Sequence, residues 1–289
     1  MREKVLVAYT VIAILAMITV LMEHRQPAKT IAWVLVLSFL PLVGIILYFF
    51  FGRRTRKNRN IWQKSLDQLT KRSMIEFAEQ KQLELSTDYQ RLIQLFMNQN
   101  LALPFKNNTA EVYVSGYDFF PALFATISKA KHHIHIVSYI IDDDPLGRLL
   151  RDTLIDKARK GVEIRFLFDD VGSWKTKNKF FEQMREEGIE VHPFMPVRFP
   201  AFTGKVNYRN HRKIIVIDGK VGFIGGMNFA QRYIKGNKNV KWRDTHIKIN
   251  GPAVYGLQRA FLIDWFYADR TLITDRKYYP EIKITQPNN

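Results

Sequence analysis

Apolar positions along this chain fall into three successive patterns. Val5 to Met22 is an unbroken run of 18 uncharged residues and Ile31 to Gly52 is one of 22, each close to the roughly 20 residues with which an α-helix crosses a bilayer. No small-x-small cleavage site follows the first run, so the pair predicts a helical hairpin in the membrane rather than a removed signal. Pro41 should kink the second helix. From residue 60 the spacing changes to three and four, with Trp62, Leu66 and Leu69, then Leu85, Tyr89, Leu92, Ile93 and Phe96. That is the period of an amphipathic helix, and its basic first stretch would either lie along the membrane surface or pack on the domain that follows.

Beyond "LPFKNNT" the pattern alternates between short β-rich runs and helical stretches. "AEVYVSG" is followed by "YDFFPALFATISKA", "HHIHIVSYII" by "PLGRLLRDTLIDKARKG", and "VEIRFLFDD" by "NKFFEQMREEG" and then "IEVHPFM". Strands separated by helices of this length call for right-handed crossovers and an α/β fold with a mixed, largely parallel sheet. The predicted organisation is a two-helix transmembrane anchor over residues 1–59, a helical linker over 60–107 and an α/β domain over 108–289.

Charge refines this picture. The formal net charge is +17, from 44 Lys and Arg against 27 Asp and Glu, which points to polyanionic partners. Arg2, Lys4, Arg53, Arg54, Arg56, Lys57 and Arg59 flank the two apolar runs on the outside, whereas the loop between them has only Arg25 and Lys29. The asymmetry places both termini and the domain in the cytoplasm, with Glu23 to Thr30 outside. A membrane hairpin directs the positive charge toward anionic lipid rather than nucleic acid. Cysteine is absent, which excludes disulfides, thiolate zinc sites and cysteine nucleophiles.

One stretch holds the candidate chemistry. In "NHRKIIVIDGKVGFIGGMN", residues 210 to 228, Asp218-Gly219 lies between two apolar β runs, the strongest short-range hairpin cue. His211 and Lys213 are two apart and share a strand face, while Asp218, seven residues from His211, falls on the other parity. The pair is therefore the reactive element, with Asp218 fixing the turn. A neutral imidazole can attack phosphorus, the lysine can hold a phosphate oxygen, and Gly225, Gly226 and Asn228 could complete an oxyanion clamp. By spacing alone, a hairpin with a satisfied histidine is an equal reading. The acidic ends Asp142 to Asp144 and Asp169-Asp170 read as helix caps and turns, and His132, His133 and His135 as histidines satisfied within a strand. No metal or cofactor is called for.

The string His211-x-Lys213-x4-Asp218-x6-Gly225-Gly226-x-Asn228 resembles the signature of the phospholipase D superfamily. The membrane hairpin, "GRLLRDTLIDKARKGVEIRFLFDDVGS" and "WRDTHIKINGPAVYGLQRAFLIDWFY" are similar to bacterial cardiolipin synthases. The resemblance implies a catalytic group of His211, Lys213 and Asp218, with His211 as nucleophile or its acid partner. It implies phosphate binding by Lys213, Asn228, Gly225 and Gly226, and orientation of the histidine ring by Asp244. It further implies a phosphatidyltransferase acting on phosphatidylglycerol in the cell membrane, with a phospholipase D-type hydrolase or a non-catalytic basic membrane protein as the alternatives. His246-x-Lys248 repeats the spacing, but Ala253 stands where the aspartate belongs. Family members carry two such motifs and this sequence has one, so either a second catalytic half or a homodimer is expected to complete the site.

Overall fold

A computed structural model of the chain describes residues 2–22, 27–48, 90–92, 95, 105–197, 209–236 and 242–282. Most of the expected 60–107 linker lies outside these residues, of which 90–92 and 95 are helical. The chain divides into two compact units, one of residues 1–60 and 197–208 and the other of 61–196 and 209–289.

In the first unit α1 spans Arg2–Met22, α2 spans Pro27–Phe39 and α3 spans Pro41–Leu47. The second apolar run is thus two helices where a single kinked one was expected. Pro41 has no N–H to continue the ladder, and Leu40 leaves the helical region at φ −130°, ψ 61°. The break is a reversal, because a Cβ on Gly44 would lie 2.9 Å from the carbonyl oxygen of Val36, a position a straight helix would put two turns away. Among the described residues no helix is long and apolar enough to cross a membrane; the described side chains of α1 begin at Val11.

The second unit is built on a seven-stranded sheet. Its strands are β1 (Thr109–Tyr113), β2 (His133–Ser138), β3 (Glu163–Asp169), β4 (Glu190–Phe194), β5 (Ile214–Ile217), β6 (Val221–Gly225) and β7 (His246–Asn250), in the spatial order β1-β7-β6-β5-β2-β3-β4. Helices α4 (Gly116–Ile127), α5 (Pro145–Arg159) and α6 (Asn178–Glu186) connect the first four strands, a short α7 (Arg232–Lys235) follows β6, and α8 (Val254–Asp269) follows β7.

The sheet is mixed, but parallel pairing is confined to β2-β3 and β3-β4. The other four pairings are antiparallel, which corrects the expectation of a largely parallel sheet. The hairpin β5-β6 and then β7 insert beside β2, so β1 is displaced to the far edge and pairs with β7 instead of with its successor in sequence. Sequence alternation reveals crossovers but not which strand a hairpin will separate from its neighbour.

Both faces of the sheet are covered. Phe119, Phe120, Leu123, Leu150, Leu154, Phe180 and Met184 pack on one face against Ile134, Ile136, Phe166, Ile215 and Phe223. On the other, Val254, Phe261, Leu262 and Trp265 of α8 meet Val137, Leu167, Ile214 and Val216. Each of these large side chains contributes about 1.5–3 kcal/mol on burial. Asp144 caps α5, accepting a hydrogen bond from Gly147 N at 3.0 Å, with Pro145 in the first turn; this is the capping role read for the first acidic cluster.

Candidate active site at one end of the sheet

Strand register brings several chain segments to the same end of the sheet. Tyr113 and Gly225 both lie opposite His246, Ile214 opposite Ile224 and Val137, and Ser138 opposite Phe168. His211 and Lys213 precede β5 at this end, Asn228 follows β6, and Asp244 precedes β7.

Alternation along "RNHRK" sorts anchors from candidate reactants. The main-chain N–H of Asn210 donates to the buried Asp169 carboxylate at 3.0 Å, and its side chain donates to Asp264 at 2.8 Å. Arg209 pairs with Asp169 at 3.4 Å and Arg212 with Asp264 at 2.5 Å. Burial pushes the Asp264 carboxyl up, while Arg212 and Asn210 oppose the rise. With its neighbours held down, His211 is left exposed. Its ring stacks on Tyr139, centroids 3.8 Å apart and planes at 21°. Lys213 Nζ donates to the His211 carbonyl at 2.7 Å and stands 5.3 Å from the centroid of the same tyrosine ring.

Electrostatics around Lys213 are finely set. Burial pushes its ammonium down from the ordinary lysine value, and the Asp244 carboxylate opposes that fall. Behind it lies His246, fully buried, stacked on Phe119 with centroids 4.0 Å apart. Among the described residues neither of its ring nitrogens has a hydrogen-bond partner. Its pKa is pushed down to about 3, first by burial and then by the Lys213 charge. His246 is thus held uncharged in the interior.

Asp218 stands elsewhere. It lies at the opposite end of β5 from His211, on the order of 20 Å away along an extended strand. With φ of +53° at Asp218 and +63° at Gly219, and Lys220 N donating to Ile217 O at 3.0 Å, the two residues form a type I′ turn. The Asp218 carboxylate accepts from the main-chain N–H groups of Lys131, His132 and His133 at 2.9, 2.8 and 3.0 Å. It ties the hairpin to the start of β2 and does not meet the other motif residues.

The remaining motif residues are held by packing. Asn228 is buried; its side-chain oxygen accepts from Ile140 N at 3.0 Å and its nitrogen donates to the Tyr233 hydroxyl at 2.5 Å. A Cβ on Gly225 would fall 2.4 Å from the carbonyl oxygen of Thr245, and one on Gly226 would fall 1.9 Å from Asp244 Oδ1. These glycines admit the chain entering β7, and Gly226 admits the Asp244 carboxylate in particular. Asp244 itself accepts from Thr245 N at 2.7 Å. Its described neighbours are Gly226, Thr245 and Lys213, not the imidazole of His211.

Of the sequence-predicted histidines, His133 and His135 are buried against Gln258, with His133 Nε2 and His135 Nδ1 each 3.2 Å from its amide oxygen. They are satisfied within the domain as read. Among the described residues no group of three or more His, Cys, Asp or Glu could hold a metal ion. Two site residues escaped the sequence. Tyr139 gives no signal in spacing, since only the fold lays it under His211. Asp264 did give one, a lone carboxylate inside the apolar helical stretch "AFLIDWFY".

The sequence is similar to several known proteins. Residues 123–265 match the family model described as cardiolipin synthase, PLD-like domain, and residues 11–53 match the phospholipase D–nuclease N-terminal model. The chain is 39% identical to a cardiolipin synthase of Geobacillus sp. (strain WCH70), covering 96% of this chain and 56% of that one. It is 41% identical to the cardiolipin synthase of Geobacillus kaustophilus, covering 94% and 55%. A phospholipase D family member, Nuc from Salmonella typhimurium, is 18% identical with a TM-score of 0.43 over 56% of this chain and 96% of its own. The chain spans about half the length of the curated relatives it matches. Within that span the alignments take in the His211–Asn228 motif and the sheet that presents it, so this part of the chain is similar to the PLD-like domain of cardiolipin synthases.

Proposed function

We propose that the chain supplies one histidine-lysine half-site of a phosphatidyltransferase that converts two phosphatidylglycerols to cardiolipin and glycerol. The observation that carries the reading is the pairing, at one sheet end, of an exposed imidazole with a lysine ammonium two residues on. One imidazole attacks phosphorus while a second protonates the departing glycerol oxygen, leaving a phosphatidyl-histidine. That second imidazole then takes the proton of a hydroxyl on another phosphatidylglycerol, the oxygen attacks phosphorus, and the P–N bond breaks. His211 fills one of these roles and Lys213 holds a non-bridging phosphate oxygen. A second copy of the motif, from a partner chain or a second catalytic half, supplies the other imidazole. Asp244 acts through Lys213, whose charge it supports.

The apolar runs of 18 and 22 residues, the basic flanks and the match of residues 11–53 support an N-terminal membrane anchor with both termini cytoplasmic, a linker to about residue 107 and the catalytic domain beyond it. A cysteine at Gln26 should label from outside intact cells; labelling at Asn60 with Gln26 protected overturns this topology. For the chemistry, membranes containing the protein are incubated with labelled phosphatidylglycerol. Cardiolipin and glycerol are expected. Phosphatidic acid without cardiolipin would favour the second reading, a hydrolase with water as acceptor, for which the exposure of His211 is the supporting feature.

A further inference from the structure

The loop after β3 carries a feature that phosphoryl transfer does not use. Trp174 is 77% exposed, more than any other large apolar side chain described in the second unit. The exposure is enforced by a well-tied loop. Asp169 Oδ1 accepts from Val171 N and Gly172 N at 3.0 and 2.9 Å, and Ser173 N donates to Asp169 O at 2.9 Å. The buried Ser173 hydroxyl accepts from Ile141 N at 3.1 Å and the Thr176 hydroxyl donates to Ile141 O at 2.6 Å. Ser173 and Thr176 therefore face inward, and Trp174 is held out between them. A Cβ on Gly172 would fall 2.2 Å from the main-chain oxygen of Tyr139, so the loop lies directly against the residue on which His211 stacks.

Lys175, Lys177 and Lys179 follow Trp174 within five residues, all exposed and none in an ion pair among the described residues. Two of the carboxylates flanking the loop are engaged elsewhere: Asp169 is buried on Arg209 and Asn210, and Glu182 accepts from Asn178. An exposed tryptophan followed by three exposed lysines has the chemistry of an interfacial anchor. The indole suits the headgroup boundary and the ammonium groups suit an anionic surface. Nucleic acid would also attract the lysines, but a single outward indole with no ring stacked on it among the described residues lacks the stacking platform of single-strand binders.

The geometry points to the Trp174–Lys179 loop as a docking surface for an anionic phospholipid bilayer, seating the domain so that the His211 end of the sheet faces the lipid headgroups. This deepens the lipid reading above and rests on it. The loop works as a second contact with the membrane, at the place where substrate must leave the lipid plane.

Because the chain has no cysteine, single nitroxide labels can be placed in the full chain by Trp174→Cys and, at the opposite end of the sheet, by Lys220→Cys. With the chain in vesicles of one part phosphatidylglycerol to three parts phosphatidylcholine, the label at 174 should be relaxed by oxygen in preference to an aqueous nickel chelate. The label at 220 should report water. In pure phosphatidylcholine both should report water. Reversing Lys175, Lys177 and Lys179 to Glu should lower the docked fraction ten-fold or more, since each basic residue near such a surface contributes roughly five-fold. An aqueous label at 174 on anionic vesicles overturns the proposal. So does protection at 174 by an oligonucleotide but not by vesicles, or spin–spin broadening independent of lipid charge, which would mark a contact with a second chain. The measurement needs no turnover. A docked label in a protein that makes no cardiolipin keeps the surface and removes the catalytic reading, whereas an aqueous label with normal turnover removes only the surface.

Discussion

The imidazole of His211 lies nearly flat on the phenol ring of Tyr139, with centroids 3.8 Å apart. The stack restrains an exposed side chain that the described residues hold by no side-chain hydrogen bond, and Tyr139 thereby acts as a positioning residue. Such a pair contributes about 0.5–1.5 kcal/mol. Tyr139→Leu should lower kcat roughly two- to ten-fold with little change in KM, and Tyr139→Phe should restore it. Equal losses in both variants would assign the effect to the hydroxyl instead.

The two candidate aspartates separate by readout. Asp218→Ala removes an acceptor shared by three main-chain N–H groups and leaves alanine at φ +53°. Stability should fall by about 3 kcal/mol, or roughly 10 °C in Tm for a domain of this size. Asp244→Asn should leave Tm nearly unchanged and act on the pH profile. The carboxylate opposes the burial-driven fall of the Lys213 pKa, so its loss lets that pKa drop further. Lys213 then loses its charge at lower pH, and the alkaline limb of kcat/KM should move down. An unmoved limb would detach Asp244 from the lysine.

Gly225 and Gly226 give a paired test. A methyl at 225 meets main-chain oxygen at 2.4 Å, while one at 226 meets the Asp244 carboxylate. Backbone cannot yield cheaply, so Gly225→Ala should depress Tm more than Gly226→Ala. The carboxylate can swing aside, so Gly226→Ala should keep its fold and lose activity, on the order of 10²-fold for a displacement of about 1 Å. The reverse ordering in thermal unfolding would refute this assignment.

Acid should loosen the domain through β2. Burial lowers the His133 pKa from 6.5 to about 4, so between those values the unfolded chain binds the proton and the folded chain does not. The contribution is complete above pH 6.5 and fades as pH falls toward 4, amounting to about 3 kcal/mol in full. Urea titrations at pH 7.5, 5.5 and 4.5 should show this decline, and His133→Gln should flatten its share. A parallel decline in the variant would place the acid sensitivity at other groups.

Much of the second unit was legible because its signals are local. β2, α5, β3, α6 and β4 follow from alternation and caps, and the Asp218-Gly219 turn follows from its dipeptide. What stayed hidden depends on long-range placement. Nothing in "AEVYVSG" tells that it pairs with residues 246–250, and nothing in "SYII" tells that Tyr139 will support a histidine 72 positions on. Motif spacing suggested that Gly225, Gly226 and Asn228 face a phosphate, whereas their described contacts are with β7, Asp244, Ile140 and Tyr233. A pattern of fixed residues does not distinguish a residue that touches a ligand from one that lets the chain close behind it.

Mixing chains probes the two-imidazole requirement. If His211 from two copies shares one cleft, co-expression of His211→Ala with wild-type chains should lower activity below simple dilution, because loss of general acid help costs ~10² to 10⁴ in rate. Linear dilution would locate the second imidazole within the same polypeptide.

The pairing of β1 with β7 also sets a schedule for synthesis. Thr109 and Asn250, hydrogen-bonded across the edge of the sheet, are 141 positions apart, so a ribosome adding roughly 5–20 residues per second finishes the first strand on the order of ten seconds before its partner exists. During that interval a strand with an exposed Val112 stays unpaired. The nascent domain is therefore most vulnerable to misassociation late in its own translation, and slowing or stalling the ribosome between residues 113 and 246 should raise aggregation far more than a pause of equal length beyond residue 269.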